Sequence, residues 1–167
     1  MRSNTRISCD NAVKKFTKII NQNILENNIL LYVGIAGDPP GGEYSYLFPK
    51  FNILTIDVDE KWHPDIVMDI TKTALENNSI DCVVCVQTIE HIPNIWDLPN
   101  ELFRILRPGG YAIIDCPWNH PYHPEPPSFG DYWRVSKDGM KQLFKNKFKI
   151  IEIIMDEYNT SVFLRKN

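Results

Sequence analysis

Small and polar residues that could bind a ligand follow several short apolar runs of this 167-residue chain. Gly34, Ala36, Gly37 and Asp38 follow the first run, Ile29–Val33, and small residues at such a point let a ligand approach the backbone closely. Their spacing is not the GxGxxG pattern of dinucleotide-binding proteins. The sequence therefore argues against a nicotinamide-dependent oxidoreductase and leaves open what ligand this turn would hold.

Carboxylates follow the next two apolar runs. Asp57 ends the second run, where an acid can accept hydrogen bonds from both hydroxyls of a ribose. Asp59 competes for this role, since alternation along a strand places both side chains on one face, but Asp57 is nearer the apolar residues. Asp69 closes the third run and could accept a hydrogen bond from an adenine amino group. A solvated loop acid is the alternative interpretation of each.

The fourth apolar run ends in Gln87, and His91 follows four residues later. An imidazole titrates near neutral pH, so His91 is a candidate catalyst, with a structural histidine as the alternative. Gln87 to His91 are expected to line the mouth of the sheet that the apolar runs form.

A long segment, residues 117–134, follows the fifth run and is rich in proline and aromatic residues. Loops of this length in compact domains are usually functional or disordered, and the aromatic content favours a lid or substrate pocket. His120 and His123 lack the partner carboxylates expected at a metal site, although Glu125 and Asp131 are near in sequence. We therefore expect no metal ion.

Cys82 and Cys85 form a CxxC motif, which can indicate zinc or redox chemistry. They lie within an apolar run typical of a buried strand, and residues three apart on a strand point to opposite faces. Both thiols could not reach one metal ion, so we interpret them as buried, reduced core cysteines.

Helical and strand periodicities predict the elements that position these residues. A helix is expected over 10–26 with Asp10 as its N-cap, a second over 95–106 ended by residues 107–110, and a third capped by Ser136. The predicted strands cover residues 29–33, 52–57, 65–68, 81–87, 111–115, 148–155 and 161–164.

This order predicts an α/β fold: a Rossmann-like, seven-stranded, mainly parallel sheet with helices on both faces. The last two strands are joined by about five residues, which predicts a C-terminal antiparallel hairpin. The length fits one domain, 1–167, with an N-terminal helical segment at 1–28 and the core at 29–167. Ligands of such sheets bind beyond the carboxyl ends of the strands.

Charge and hydropathy limit the kinds of binding partner that we expect. The net charge is −3, and residues 51–101 carry ten acids against two lysines, which argues against nucleic acid. The apolar runs are too short to span a bilayer and no secretory signal is evident, so we expect a cytoplasmic protein without a membrane partner. The apolar face of the N-terminal helix would either cover the sheet or support a homodimer.

Taken in order, the segments resemble the class I S-adenosylmethionine-dependent methyltransferases, over about residues 29–165. The closest branch carries an H-P-DYWR loop. The matching residues are Ile56–Asp59, Asp65–Asp69, Ile89–Pro93, Glu101–Gly110, His123 and Asp131–Ser136. In the first loop, Tyr32 stands where the family has an acid, and Ala36 and Asp38 replace two glycines.

The resemblance implies S-adenosylmethionine as cofactor and a role for each residue near it. Gly34, Ala36 and Gly37 would back the cofactor, with Asp38 making a polar contact at its methionyl end. The remaining cofactor contacts implied are Asp57 to the ribose, Asp69 to adenine, Val58 and Ile70 on the two faces of adenine, and Gln87 beside the methionyl portion.

The resemblance also implies methyl transfer to a small-molecule acceptor, such as a sugar or another hydroxyl or amine compound. For a hydroxyl acceptor His123 is the first candidate base, Asp131 would orient it or act alone, and His91 is a third option. Tyr132, Trp133 and Arg134 would shape the acceptor pocket or pack the loop onto the sheet. The alternative function is a methyltransferase-fold binding or scaffold protein with weak or no turnover.

Overall fold

A computed structural model describes residues 4–24, 28–39 and 41–167 of the chain. The helices are α1 (Asn4–Asn23), α2 (Leu98–Ile105) and α3 (Lys137–Phe144). The strands are β1 (Asn28–Val33), β2 (Phe51–Asp57), β3 (Ile66–Val67), β4 (Ile80–Val86), β5 (Leu106–Pro117), β6 (Lys149–Met155) and β7 (Asn159–Arg165).

Within the described residues the strands form one sheet in the order β3-β2-β1-β4-β5-β7-β6. β1 to β5 pair in parallel, and β7 is antiparallel to both β5 and β6. The predicted seven-stranded, mainly parallel sheet with a closing antiparallel hairpin is confirmed. The strand order reverses between β1 and β4, which places the expected ligand site at the carboxyl ends of these two strands.

Apolar side chains cover both faces of the sheet. α2 and α3 bury their apolar residues on one face, while α1 packs on the other, against β5 and β7. The prediction of helices on both faces is confirmed. Of the two alternatives for the apolar face of the N-terminal helix, α1 fits the one in which it covers the sheet. Cys82 and Cys85 belong to the cores on opposite faces, and both are buried free thiols, as the alternation of a strand dictates.

The two largest boundary errors concern the start of α1 and the start of β5. α1 begins at Asn4, so Asp10 lies inside the helix, where its buried carboxylate accepts a hydrogen bond from the Tyr44 hydroxyl at 2.9 Å instead of capping. α2 ends at Ile105 and residues 107–110 already belong to β5. Backbone hydrogen bonds from Gly109 N to Lys166 O and from Lys166 N to Gly110 O hold that segment in the sheet.

Among the described residues, no α-helix lies in the connections between β1, β2 and β3. These connections contain one 3₁₀ turn each, Ser45–Leu47 between β1 and β2 and Glu60–Trp62 between β2 and β3. Ser136 caps α3 as predicted, because its hydroxyl accepts a hydrogen bond from Gly139 N at 3.1 Å. None of the helices among the described residues has the length and apolar character needed to cross a bilayer.

Candidate active site

One cavity of about 710 Å³ opens at the carboxyl ends of β1, β2 and β4 and continues under the long loop, residues 117–134. It brings together most of the residues that the sequence singled out. Its lining includes Gly34, Ala36, Gly37, Asp38, Asp57, Val58, Asp69, Ile70, Gln87, His91, His123 and Tyr132. Three further residues that the sequence singled out lie behind this lining: Asp131, Trp133 and Arg134.

Gly34 lies where two strand ends approach each other. Its φ is +76°, and a Cβ built there would lie 2.2 Å from the Thr88 Oγ1. The Thr88 hydroxyl is within hydrogen-bonding distance of the carbonyl oxygens of Val33 and Val86, at 3.1 and 3.0 Å. Glycine is therefore required both by the backbone conformation and by the space. Thr88 itself lines the cavity, and only its position after a buried strand could have indicated it.

The Asp57 carboxylate shapes the turn after β1. Its Oδ2 accepts a hydrogen bond from Ile35 N at 2.9 Å, and its Oδ1 accepts one from Asp59 N at 3.0 Å. A carboxylate has about four acceptor positions, so two are left for groups in the cavity. Asp59 instead begins the Glu60–Trp62 turn, accepting hydrogen bonds from Lys61 N and the Ser128 hydroxyl. Of the two competing acids, Asp57 is the one in the cavity lining.

Asp69 lies on the far side of the cavity beside two apolar residues. Its Oδ1 accepts hydrogen bonds from the backbone N and the hydroxyl of Thr71, at 2.8 and 2.7 Å, and its Oδ2 takes no part in these bonds. Val58, 54% exposed, and Ile70, 5% exposed, line the same region. This region offers apolar surface next to a hydrogen-bond acceptor.

Asp38 is held by groups around it, and one of them was missed by the sequence analysis. Its carboxylate is within 3.3 Å of Nη2 of Arg6 and of the Tyr32 hydroxyl, and it accepts a hydrogen bond from Glu43 N at 3.2 Å. Arg6, from α1, also pairs with Glu43 at 2.7 Å and lines the cavity. The only sequence signal for Arg6 was the basic character of the N-terminal segment.

Gln87 has a left-handed backbone, with φ of +52°. Its side-chain amide donates to Asp115 Oδ1 at 2.5 Å and lies 3.1 Å from Asn159 Oδ1. Asp115 also accepts a hydrogen bond from Ser161 and is fully buried, and this burial raises the pKa of Asp115 to about 6. Gln87 is thus fixed from beneath, by β5 and β7.

Two histidine rings converge at the other end of the cavity. His91 and His123 lie edge to face with their centroids 4.9 Å apart. Nδ1 of His91 is 2.5 Å from the carbonyl oxygen of Gly130, and burial lowers the pKa of His91. This carbonyl can only accept, so His91 carries a proton on Nδ1 and, when neutral, has its lone pair on Nε2.

Asp131 lies behind His123. Its Oδ2 is 3.1 Å from Nδ1 of His123 and accepts a hydrogen bond from His123 N at 2.9 Å. Arg134 donates to both oxygens of Asp131, at 2.5 and 2.8 Å, and this bidentate hydrogen bonding holds the pKa of Asp131 well below its usual range. The loop folds back over eight residues to bring Asp131 to His123, a contact that fits the alternative in which Asp131 orients His123.

Glu90 is a second carboxylate at the histidines, and the sequence analysis did not select it. It is 0% exposed, and among the described residues neither of its oxygens has a hydrogen-bond partner. Its Oε1 lies 3.7 Å from Nε2 of His91 and 4.0 Å from Nε2 of His123. Desolvation raises the pKa of Glu90 well above its usual value. Its position next to His91, directly after β4, was the available signal.

The three residues expected to shape the acceptor pocket are placed differently. Tyr132 lines the cavity and is 52% exposed. Trp133 packs against the core and donates from Nε1 to Ile92 O at 2.8 Å. Arg134 donates to the carbonyl oxygens of His120 and Pro121 as well as to Asp131. Trp133 and Arg134 therefore fit the alternative of packing the loop.

Comparisons with known proteins agree with this geometry. A family described as a methyltransferase domain matches residues 46–114, a range that includes Asp57, Asp69 and Gln87 and ends before the long loop. An uncharacterized methyltransferase of Mycobacteroides abscessus is 42% identical over 40 residues, which cover 24% of this chain and 15% of the relative. The match thus spans less than a fifth of that protein.

Solved structures of methyltransferases share the fold. A protein of Methanosarcina mazei, described as a SAM-dependent methyltransferase, superimposes with a TM-score of 0.68 at 13% identity, covering 89% of this chain and 96% of its own. The Burkholderia thailandensis 1,6-didemethyltoxoflavin-N1-methyltransferase, with 1,6-didemethyltoxoflavin and S-adenosylhomocysteine bound, gives a TM-score of 0.62 at 11% identity, covering 93% of this chain and 78% of its own. The predicted fold is confirmed, because these solved structures share it.

Proposed function

We propose that this protein is an S-adenosylmethionine-dependent methyltransferase that acts on a small-molecule acceptor. One observation carries the proposal: a single cavity joins the strand-end residues that suit the methyl donor to a cluster of histidines that suits the acceptor. The match of residues 46–114 to a methyltransferase domain supports it independently.

The adenosine portion of the donor suits the region around Asp57 and Asp69. The two free acceptor positions of Asp57 are assigned to the ribose hydroxyls, and Oδ2 of Asp69 to the adenine amino group. Val58 and Ile70 supply apolar surface for the two faces of the adenine ring. A carboxylate-rich rim also favours the positive sulfonium of the donor.

The methionyl portion is assigned to the turn after β1 and to Gln87. Gly34, Ala36 and Gly37 leave the backbone accessible there. Arg6 supplies a guanidinium at the same end of the cavity, where it favours the methionyl carboxylate, while Asp38 favours the ammonium group. Gln87, fixed by Asp115, completes this end.

Methyl transfer is an in-line displacement at the methyl carbon, so holding the acceptor near the methyl group supplies most of the catalysis. The acceptor is assigned to the space beneath the long loop, beside Tyr132. A hydroxyl acceptor must lose its proton, and we assign its removal to the Nε2 lone pair of His123 or His91, both of which line the cavity. Asp131 is ionised and buried behind His123, so we assign it as a positioning residue.

A transfer assay tests the proposal. The unmodified chain is incubated with methyl-labelled S-adenosylmethionine and a panel of small hydroxyl and amine compounds, and labelled products are separated from the donor. Label is expected in at least one acceptor class, and Asp57→Asn should reduce it. Binding of the donor without transfer to any acceptor would favour the alternative of a binding or scaffold protein.

A further inference from the structure

We propose that Glu90, His91 and His123 form a binding site for a divalent transition-metal ion at the wall of the cavity. One carboxylate oxygen and two imidazole nitrogens from these residues all lie within 4.8 Å of one another. Both histidines line the cavity, and Glu90 lies directly behind them. The site is assembled from the turn after β4 and from the long loop.

The first argument is the state of Glu90. Its carboxyl group is fully buried, and among the described residues neither oxygen receives a hydrogen bond. Burying a carboxyl group without a partner is costly, and a bound cation removes that cost by neutralising the charge. Two nitrogen donors for a metal lie close to the orphaned Oε1, the Nε2 atoms of His91 and His123, at 3.7 and 4.0 Å.

The second argument is the orientation of the two imidazoles. Nδ1 of His91 faces the Gly130 carbonyl oxygen at 2.5 Å, and Nδ1 of His123 faces Asp131 Oδ2 at 3.1 Å. Protons on these nitrogens leave each ring a lone pair on Nε2, the atom that lies 3.7 Å (His91) or 4.0 Å (His123) from Glu90 Oε1. Metal-binding histidines characteristically donate their second ring nitrogen to a carbonyl or carboxylate in this way. Asp131 and Gly130 thus form an outer shell, which Arg134 fixes in turn.

The distances require a small contraction. Ligand bonds of about 2.1 Å in a tetrahedral centre place ligand atoms about 3.4 Å apart. Oε1 of Glu90 lies 3.7 Å from one nitrogen and 4.0 Å from the other, and all three ligand atoms lie within 4.8 Å of one another, so a shift of at most about 1.4 Å brings each pair to this spacing. Rotation of the His123 ring supplies this shift, since its side chain is 32% exposed on the loop.

The ligand set selects the metal. Two imidazoles and one carboxylate suit zinc, cobalt or iron, whereas magnesium and calcium prefer oxygen ligands throughout. Three protein ligands leave a position open toward the cavity for water or for an oxygen atom of the acceptor. If the proposed methyl transfer is correct, this position favours acceptors that present an oxygen donor. The same Nε2 lone pairs cannot also take the acceptor proton, so metal binding replaces that role of His123.

Metal titration of the chelator-treated full chain tests the site without any methyl transfer. Calorimetry with Zn²⁺ alone is expected to show one ion per chain, with a Kd of about 1 μM or tighter. Co²⁺ alone is expected to give the visible absorption of a low-coordinate cobalt centre. Glu90→Gln and His123→Ala should each weaken Zn²⁺ binding by at least about tenfold.

His63→Asn is the matched control, because it removes an exposed histidine outside the cavity lining and places asparagine at a left-handed position. It should leave the Zn²⁺ affinity within about twofold of the original. Absence of Zn²⁺ binding, or equal affinity in Glu90→Gln and the unmodified chain, would overturn the proposal. If Glu90→Gln fails to fold, unchanged affinity in His123→Ala overturns it equally.

S-adenosylhomocysteine binding is measured in the same samples to separate the two proposals. Zn²⁺ binding without binding of this donor product would sustain the metal site and contradict the proposed function. Binding of the donor product without binding of Zn²⁺ would sustain the proposed function and overturn the metal site.

Discussion

The cavity has two halves that are built in different ways. The half that we assign to the donor, Gly34–Asp38, Asp57 and Gln87, stands on strand ends. Ile35 N donates to the Asp57 carboxylate and Gly34 N donates to Ile56 O at 2.9 Å, while the side chains of Asp115 and Asn159 hold Gln87. The acceptor half is formed by His91 and the long loop, 117–134. Its loop is held mainly through side chains, such as Arg134 and the Trp133 Nε1 bonded to Ile92 O.

Because of this difference, residues of one half can be changed without disturbing the structure of the other half. The sheet itself forms the donor half, because parallel pairing brings the carboxyl ends of β1, β2 and β4 to one edge, where the strand order reverses. The loop carries its own scaffold, in which Arg134 joins Asp131 to the carbonyl oxygens of His120 and Pro121. Substitutions in one half are therefore expected to spare the function of the other.

The largest effect is expected from Gly34→Val. The new side chain meets Thr88 at a distance no real contact tolerates, and valine is disfavoured at φ +76°. S-adenosylhomocysteine affinity, measured by calorimetry, should fall by more than about 100-fold. Gly37→Ala is the control, with φ +73° and no described heavy atom within 4 Å of the added Cβ, and it should lose far less. Equal losses would mean that strain, not the close approach to Thr88, matters here.

Asp57→Asn should produce the next largest loss. Removing the charge weakens hydrogen bonds to the ribose by about 2 kcal/mol, which lowers donor affinity by about 30-fold. Asp59→Asn, two residues further on and outside the cavity lining, should stay within about twofold in the same titration. A larger loss in Asp59→Asn than in Asp57→Asn would reverse our assignment of the ribose contact.

Asp115 beneath Gln87 should make stability depend on pH. Its folded pKa of about 6 exceeds the ordinary 3.8, so the folded state holds the proton more tightly, and stability falls as pH rises through this interval. Between pH 4.5 and 7.5 this group should remove at most about 2 kcal/mol from the free energy of unfolding. Urea denaturation of Asp115→Asn should show a smaller decline than the unmodified chain; identical declines would contradict the buried, protonated state.

The smallest effect separates the halves most cleanly. Asp131→Asn removes the charged partner of His123, so transfer to the acceptor found with labelled donor should slow by about tenfold or more, with donor affinity unchanged. Tyr122→Phe, an exposed residue of the same loop, should change neither quantity. A parallel loss of donor affinity in Asp131→Asn would show that the halves are coupled.

The donor half was largely predictable because strand periodicity is a local signal. Asp57 and Gln87 end apolar runs, and that fact alone places them at one edge of a parallel sheet. Helix α1 shows the limit of such signals. Its start at Asn4 moved Asp10 into the helix and brought Arg6 to the cavity, since tertiary packing extended the helix beyond the periodic residues.

The acceptor half was predictable in its residue types but only partly in its pairings. Orienting His123 was one of the two roles expected for Asp131, whereas the hydrogen bonds from Arg134 to Asp131 were not expected. Glu90 was not selected as a site residue because a charged residue in a turn is ordinarily solvated, and nothing in the local sequence indicates that the long loop covers it. Non-local contacts of this kind leave no periodic trace in the sequence.

Calorimetric titration of the unmodified chain with S-adenosylmethionine tests the central claim most directly. The cavity geometry predicts saturable binding of one donor per chain, with a Kd in about the micromolar range, and loss of that binding in Gly34→Val. Absence of binding at millimolar donor by the folded, unmodified chain would contradict the assignment of the strand-end cavity to the methyl donor.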